Sequence, residues 1–409
     1  MLLNQHVRPT GAHRRILLFA WLGWMAVFYT LIVFFQLSLL YRRDLGLGDD
    51  GVQQVKSVIL AATGVGGLLL GLLADRMGRK PAMITSILVF CAGVVAAGFA
   101  RSLGTMTACA GLAGVGIGGQ WAAGQTLLGE TVPPRLRGRF GALAQTGAPL
   151  GLGLATIMAT QVAPHIGWRA AFWASAASVL LVPLMMALVP ESDVWQEHRS
   201  ARAAGPRSRG PLAELIAPGV RRPFVLAFVL TLLNITNYWI AFSWLPEYLG
   251  RQWHLRIQTT GAWTLVFVLG SLCGYVANGL LSDRFGRRIS FTLFSAVMAI
   301  GLLAITVAQG VIHSRPEVIL VFIFIAGLGT GTWSSYGPLF AELFPTRVRN
   351  TASGICMNVS RGMQFVAPLL VVAVGGQALG NGVALAAAFA LAAGAWVWLL
   401  PETRARAVA

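Results

Sequence analysis

One arginine lies deep within an apolar run of this sequence, between two amides on the same helical stripe. If the run that begins near Thr351 is a helix, Arg361 lies ten residues along it, about 15 Å at 1.5 Å per residue. Asn358 and Gln364 fall three residues before and after it, on one face. A guanidinium presents a planar fork of donors that fits a carboxylate. These residue types at this spacing predict a binding site for an organic anion; a structural arginine bonded to backbone carbonyls at a broken helix is the alternative.

Enzymatic chemistry has little support in the sequence. The six histidines fall in predicted tails or loops without zinc-ligand spacing, and no serine sits in a nucleophile elbow. No Walker loop is present, and Gly114, Gly116 and Gly118 follow no strand, so nucleotide binding is not indicated. We expect no enzyme activity, no cofactor and no bound metal.

The composition points to a protein that has lipid as its solvent. Hydrophobic residues make up 56% of the 409 residues and charged residues 11%, whereas a soluble domain carries about 25% charged residues. The net charge of +17 is spread over short loops and not gathered on one face, which argues against a nucleic-acid partner. Most basic residues fall in loops on one side, which predicts that both termini are cytoplasmic.

Apolar runs long enough to cross a bilayer occur twelve times, and each is predicted to be a helix because backbone groups in lipid must pair internally. Residues 191–223 form the one long polar break, with several arginines and with prolines that include Pro206 and Pro211, and we interpret them as a cytoplasmic linker. The predicted spans are 16–40, 52–74, 82–100, 103–128, 139–163, 168–189, 224–249, 258–281, 289–312, 317–341, 351–376 and 380–400.

One stretch appears once in each half of the chain. The segment 71–80, GLLADRMGRK, returns as GLLSDRFGRR at 279–288, each time at the end of an apolar run. A second set, which includes Trp121 and Glu130, recurs at constant spacing as Trp333 and Glu342. Matched signals in the same order indicate one duplicated unit of apolar segments, as in two-halved membrane proteins.

These decapeptides resemble the loop signature of the major facilitator superfamily, and the resemblance covers nearly the whole chain. It implies an all-α membrane protein with twelve transmembrane helices in two pseudo-symmetric six-helix bundles that rock around a central cavity. The expected units are an N-terminal bundle over 1–190, the linker over 191–223 and a C-terminal bundle over 224–409.

Four further stretches are similar to the sialate/lactate:proton symporters and the neighbouring metabolite:proton symporters. They are Leu22–Met25, Gly118–Trp121, Glu342–Arg349 and Asn358–Arg361. The likeness implies organic-acid substrates. Relatives in that group carry acidic residues where this chain has Val27, Thr30 and Gln120, so proton symport by the family mechanism is in doubt.

The resemblance and the polar residues of the spans together predict two groups of functional residues. We expect a substrate site at Arg361, Asn358, Gln364, Tyr29, Gln120, Asn234, Asn237, Tyr238 and Tyr336. In the superfamily the loop aspartate helps to latch the cytoplasmic side, and an Asp–Arg contact there could form and break during transport. The predicted gating residues are Asp75, Arg76, Arg79, Glu130, Arg135, Arg137, Asp283, Arg284, Arg287, Glu342, Arg347 and Arg349.

The expected function is alternating-access transport of a small organic anion, monocarboxylate- or sialate-like, across the inner membrane. Proton coupling is the expectation of the family, and the alternatives are a facilitator or anion exchanger without protons, or a drug or amphipath efflux carrier. The expected partners are the organic anion, protons and the lipid bilayer, with the protein as a monomer.

Overall fold

The structure is a computed structural model that describes residues 10–133, 136–204, 211–253, 257–307, 317–366 and 379–404. Nearly all of these residues are helical, as a chain in lipid requires. The helices of the first half are α1 Gly11–Gln36, α2 Ser38–Asp44, α3 Asp49–Met77, α4 Arg79–Gly98, α5 Leu103–Thr131, α6 Arg137–Ile166 and α7 Trp168–Leu188.

The second half repeats the pattern after two short helices in the predicted linker, α8 Asp193–Ala204 and α9 Pro211–Leu215. Its helices are α10 Arg221–Trp253, α11 Ile257–Phe285, α12 Arg287–Val307, α13 Val318–Leu343, α14 over 349–366 and α15 Leu379–Trp396. In the described residues each of the twelve predicted spans overlaps mainly one helix, while 308–312 and 367–376 of two spans lie outside those residues. Helix α2 is too short to cross a membrane.

Ten helices of the described part are long and apolar enough to span a bilayer. The two remaining membrane helices are α5, whose many glycines dilute its hydropathy, and α14, whose described part ends at residue 366. Large apolar side chains cover the outside of the bundle, among them Leu69, Leu280 and Ile300, each at least half exposed. Such a surface is stable in lipid and not in water.

Each half packs its own helices closely, and two helix pairs make the most extensive contacts between the halves. In the first half α5 packs on α3 and α4, and in the second α15 packs on α10 and α12. Across the interface α3 lies against α14, and α6 lies against α11. The α3–α14 contact depends on small residues, because a Cβ added at Gly67 would lie 2.4 Å from Asn358 Cβ.

Two membrane helices contain a π-helical turn that the sequence does not predict. The span predicted over 139–163 contains a π-helical turn, Met158–Val162, and the span predicted over 351–376 contains another, Ile355–Val359. In α14 this turn lies between Arg349–Gly354 and the short piece Ser360–Gly362, and a 3₁₀ turn, Met363–Val366, follows. Single π turns inside α-helices occur frequently at functional sites.

Candidate substrate site and gate

Arg361 lies in the interior of the bundle, and only 2% of it is exposed. Its Nη1 atom donates to Asn358 Oδ1 at 3.1 Å, so these two residues share a stripe as predicted. The guanidinium carbon lies 5.4 Å from the ring centre of Trp24 and 5.8 Å from that of Phe28, both on α1 of the other half. Within the described residues, no carboxylate forms an ion pair with Arg361. The site therefore offers positive charge in aromatic surroundings.

Asn358 connects this arginine to the opposite half. Its Nδ2 atom donates to the backbone carbonyl of Gly118 on α5 at 2.7 Å, while its Oδ1 accepts from Arg361. Both functions of the amide are thus used, one in each half. Asn358 therefore links Arg361 to α5 of the other half.

Six residues in and around this site form what we call the central cluster: Trp24, Phe28, Gln120, Tyr238, Asn358 and Arg361. Tyr238 on α10 lies within electrostatic range of the guanidinium. Gln120 packs against the α1 backbone beside Trp24, since a Cβ added at Gly23 would lie 1.9 Å from its Nε2. Within the described residues, both amide atoms of Gln120 and the indole Nε1 of Trp24 are buried without a hydrogen-bond partner. A buried unpaired group costs about 1–3 kcal/mol, so these atoms are ready to bind a ligand or water.

Two other predicted substrate contacts point elsewhere. Tyr29 is half-buried, and its hydroxyl is directed toward Ser175 on α7 of its own half. The Nε2 atom of Gln364 donates to the carbonyl of Ser360 at 2.8 Å and to Thr236 Oγ1 at 3.3 Å. The 3₁₀ turn that contains Gln364 turns its amide toward α10. Neither residue contacts Arg361 directly.

The three remaining predicted contacts bond within the C-terminal half. Asn234 Oδ1 accepts from Thr332 at 3.3 Å, and the Tyr336 hydroxyl donates to a backbone carbonyl of α10 at 3.4 Å. Asn237 donates to Met298 Sδ at 3.1 Å. One amide atom of each asparagine, Asn234 Nδ2 and Asn237 Oδ1, is buried without a partner in the described part of the chain. These residues form a polar layer behind the central cluster.

Aromatic rings form a continuous wall from one half to the other. The distances between ring centres along it are 6.2 Å for Trp24–Trp121, 6.0 Å for Trp121–Phe340, 5.5 Å for Phe340–Tyr336, 5.8 Å for Tyr336–Trp333 and 5.5 Å for Trp333–Tyr238. Phe28 and Phe340 were not among the site residues predicted from the sequence. Phe28 lies one helical turn after Trp24, and this spacing indicates that both rings share one face of α1.

The two decapeptide loops lie at one end of the bundle, which we call the basic end; the opposite end is the far end. There Arg79 is fully buried, with its Nε and Nη2 atoms 3.2 and 2.9 Å from the two oxygens of Glu130. In the second half Arg287 holds Glu342 with the same two distances, 3.2 and 2.9 Å. A two-point pair of this kind is strong where water is excluded. The duplicated sequence thus builds one Arg–Glu clamp in each half.

Each decapeptide aspartate contacts the start of a helix in the opposite half. Asp75 Oδ2 accepts from the backbone N–H of Thr351 at 2.9 Å and from its hydroxyl at 2.7 Å, at the beginning of α14. Asp283 Oδ2 accepts from the N–H of Arg139 at 3.1 Å, near the beginning of α6. The first turn of a helix has free N–H groups and the positive end of the helix dipole, so a carboxylate stabilises it. Both contacts join the two halves at the basic end.

A shared carboxylate adds a third contact across the basic end. Glu130 Oε1, already bound to Arg79, also lies 2.8 Å from Nη1 of Arg349 in the other half. Arg79 Nη2 additionally donates to the backbone carbonyl of Thr346 at 3.1 Å. Since Glu130 and both arginines are buried, separating the halves must break a charged pair out of contact with water.

Residues 16–408 match the model of the sugar (and other) transporter family. The chain belongs to that family. The transporter is 31% identical over 375 residues to a probable 4-methylmuconolactone transporter of Cupriavidus pinatubonensis, over 89% of this chain and 84% of that protein. It is 26% identical over 378 residues to the sialic acid transporter NanX of Escherichia coli strain K12, over 91% of this chain and 89% of that protein.

The fold of the transporter is similar to that of XylE, a major facilitator superfamily proton:xylose symporter, in a structure with bound 6-bromo-6-deoxy-D-glucose. The TM-score is 0.77 at 17% identity, over 97% of this chain and 98% of that chain. The predictions of the superfamily and of twelve membrane helices in two bundles are therefore confirmed. The protein is a multi-pass membrane transporter and not an enzyme.

The contacts between the halves at the basic end include more than Asp–Arg pairs. Asp75 accepts from the start of α14, and Glu130 forms a cross-half ion pair with Arg349. Asp283 lies 3.8 Å from Arg139 of the other half, which is a second cross-half ion pair. Arg139 was not among the residues predicted from the sequence.

The other predicted gating arginines have different surroundings. Arg76 and Arg284 are exposed, and Arg347 pairs with the carboxylate of the linker helix α9 at 2.5 Å. Arg137 is buried and donates through Nε to a backbone carbonyl of α5 at 2.8 Å. Arg135 lies outside the described residues.

The tight turn of each decapeptide depends on a glycine and on a glutamate from the end of the same half. Gly286 has φ +101, a conformation that favours glycine. The next two backbone N–H groups, of Arg287 and Arg288, donate to the carboxylate of Glu402 at 3.0 and 3.1 Å. Partial burial tends to raise the pKa of Glu402, but these backbone hydrogen bonds outweigh it and hold the pKa below its ordinary value.

Proposed function

We propose that this transporter is a secondary carrier that moves a small organic anion, monocarboxylate- or sialate-like, across the inner membrane by alternating access. The observation that carries the proposal is Arg361, a buried cation without an acidic partner among the described residues. An unpaired buried charge costs several kcal/mol, and in a membrane protein it faces a pathway or a partner. A bound carboxylate supplies the missing negative charge and matches the guanidinium fork.

The residues around Arg361 suit a carboxylic acid with a flat or apolar body. Asn358 fixes the guanidinium, and the unpaired amide of Gln120 is available for a polar group of the substrate. The aromatic wall offers ring faces to the body of the molecule. Asn234, Asn237 and Tyr336 hold α10 and α13 in place behind it. Tyr29 and Gln364 support neighbouring helices in this assignment.

The two bundles, 1–190 and 224–409, are the units that move in this proposal, with 191–223 as the connection. Rocking opens the basic end when the contacts of Asp75, Asp283 and Glu130 across the halves break. We propose that this end, and both termini, face the cytoplasm, and the basic loops support this orientation. The names of the two relatives, a 4-methylmuconolactone transporter and a sialic acid transporter, support a small metabolite as the cargo.

The central cluster holds no carboxylate among its described residues, which bears on proton coupling. Val27, Thr30 and Gln120 are all buried, and none can titrate. We propose that the anion is exchanged or facilitated, and that a proton which accompanies it travels on the acid group of the substrate. Uptake into proteoliposomes at several pH gradients tests this point, and a strict dependence of uptake on the gradient at constant substrate ionisation would contradict it.

The main test is flux of small carboxylates into proteoliposomes that contain the protein or its Arg361→Ala variant. We expect saturable uptake that other monocarboxylates inhibit, and loss of this uptake in the variant. Arg222→Ala removes an equal charge from an exposed position outside both predicted groups of functional residues and should leave uptake unchanged. Inhibition by neutral amphipaths, with no effect of carboxylates or of Arg361→Ala, would favour an efflux carrier and refute the proposal.

A further inference from the structure

A second cation contacts the same face of α1 as Arg361, toward the far end. Lys56 Nζ lies 5.6 Å from the ring centre of Phe35, much as Arg361 lies 5.8 Å from that of Phe28. Seven residues along a helix advance about 10.5 Å and return to nearly the same face. The two cation–ring contacts are therefore stacked along α1, about 10 Å apart.

Lys56 lies on the side of α3 that faces the other half. Leu60 and Gly64, one and two turns further along α3, pack directly on α14. A Cβ added at Gly362 would lie 3.4 Å from the carbonyl oxygen of Leu60. A Cβ added at Gly64 would lie 3.3 Å from the carbonyl oxygen of Asn358. Lys56 is half-buried, and no described carboxylate forms an ion pair with it. It therefore offers positive charge between the halves, beyond Arg361 on the way to the far end.

An aromatic contact joins the halves at this level. The rings of Phe35 on α1 and Trp239 on α10 lie 5.5 Å apart. Trp239 directly follows Tyr238, which belongs to the central cluster. A molecule that moves from the far end to Arg361 passes Lys56 and this ring pair in turn.

We propose that Lys56 is an outer carboxylate-binding residue, which holds the anion above the Phe35–Trp239 ring pair before the anion moves to Arg361. The inference rests on the proposed function, and it adds a second station for the same class of substrate. A carboxylate competes with the ring of Phe35 for the ammonium group, because a charged partner binds Lys more strongly than a ring face does in partly apolar surroundings. Binding at Lys56 thus frees Phe35 to separate from Trp239.

The experiment compares the two faces of the membrane. Uptake of a labelled monocarboxylate is measured in whole cells and in everted vesicles, for the protein and for Lys56→Gln, Lys56→Arg and Arg101→Gln. We expect Lys56→Gln to raise the half-saturation concentration about three- to tenfold in whole cells, where the far end faces the substrate, and not in everted vesicles. This is the size of the effect of one partly exposed ion pair. Lys56→Arg should retain the original value. Arg101→Gln removes an exposed charge at the same end and should have no effect.

Each other outcome overturns the inference. An equal loss on both faces would show that Lys56 acts on the central site or on the fold, and thermal unfolding of the purified variant separates these two cases. Unchanged half-saturation on both faces, with Arg361→Ala inactive, would remove the outer station and leave the proposed function intact. Absence of carboxylate transport in the unaltered protein would instead refute the proposed function itself.

Discussion

Changing Arg361 to Lys and to Met tests the central cluster at the level of binding energy. At a ligand concentration one hundred times Kd, binding stabilises a protein by about 2.7 kcal/mol. Removing one partner of a buried, hydrogen-bonded charge pair costs about 2–5 kcal/mol. Arg361→Met should therefore weaken carboxylate binding roughly 30- to 5,000-fold. At the same ligand concentration the stabilisation that remains is about 0.9 kcal/mol or less.

The lysine variant separates charge from shape. Arg361→Lys keeps a positive charge but loses the planar fork and its bond geometry with Asn358, so its affinity should lie between those of the other two proteins. The assay is thermal unfolding of the purified protein with a series of small carboxylates and with their uncharged amides as controls. The expected order of stabilisation is Arg, then Lys, then Met, and the amides should have no effect.

The stability of the ligand-free Arg361→Met variant tests whether Arg361 is a structural residue. Arg361→Met loses one hydrogen bond of a charged donor, about 1.5–3 kcal/mol, but it also removes an unpaired buried charge that costs several kcal/mol. We therefore expect little net change in the stability of the empty variant. If it unfolds much more easily, or if carboxylates stabilise it as fully as the unaltered protein, Arg361 is structural and does not bind the substrate.

Three further predictions concern the gate, proton coupling and acid stability. Glu130→Gln weakens the buried pair with Arg349 by about 3–5 kcal/mol and should loosen the contact between the halves. The probe is a cysteine placed at Ala341, whose Cβ lies 2.7 Å from a Cβ added at Gly129. In a background without native cysteines, this cysteine should react faster with a thiol reagent in the variant. Gln120→Glu places a titratable group in the central cluster and should make transport depend on pH where the unaltered protein is indifferent, as measured by uptake at fixed substrate ionisation. The pKa of Glu402 is lowered in the folded protein. Ionised Glu402 therefore stabilises the fold at pH values above its unfolded pKa of about 4.3, and this stabilisation is lost as the pH falls through the folded pKa. Acid unfolding curves of Glu402→Gln should lack this part of the destabilisation.

Each of these three has an outcome that contradicts it. An unchanged labelling rate after Glu130→Gln would mean that the shared carboxylate does not keep the basic end closed. A Gln120→Glu variant whose uptake stays independent of pH would place that residue away from the transport path. Parallel acid unfolding of the unaltered protein and Glu402→Gln would show that the turn bonds contribute nothing at neutral pH.

The number and position of the membrane helices could be predicted because apolar length is a direct requirement of the bilayer. The duplicated decapeptide indicated the two halves. The Arg–Glu clamps were not predicted, although Arg79 and Arg287 bind the equivalent residues Glu130 and Glu342 at the same distance. The irregular turns could not be predicted. The π turn Ile355–Val359 leaves no periodicity signal in an apolar run, yet it sets the direction of Asn358.

The position of the positive charge in the site could be predicted from the sequence, but the partners of the surrounding side chains could not. The depth of Arg361 follows from counting residues along a helix, and the structure places it in the interior. The partners of an amide depend on which helix packs beside it, information that one sequence does not hold. For this reason Asn237 is bonded to Met298 and Tyr29 turns toward Ser175, while Phe28, an ordinary apolar residue in the sequence, contacts the guanidinium.

The sharing of Glu130 at the basic end determines which charges appear when that end opens. Glu130 keeps Arg79, and Asp283 keeps Arg287 at 2.9 Å, because both partners belong to the same half. Arg349 and Arg139, by contrast, leave their carboxylates behind on the other half. In the proposed transport cycle, the basic end would therefore gain positive charge where it opens. An anion released there would be retained near the mouth for a time, and a second anion from the same compartment would be drawn in to take its place.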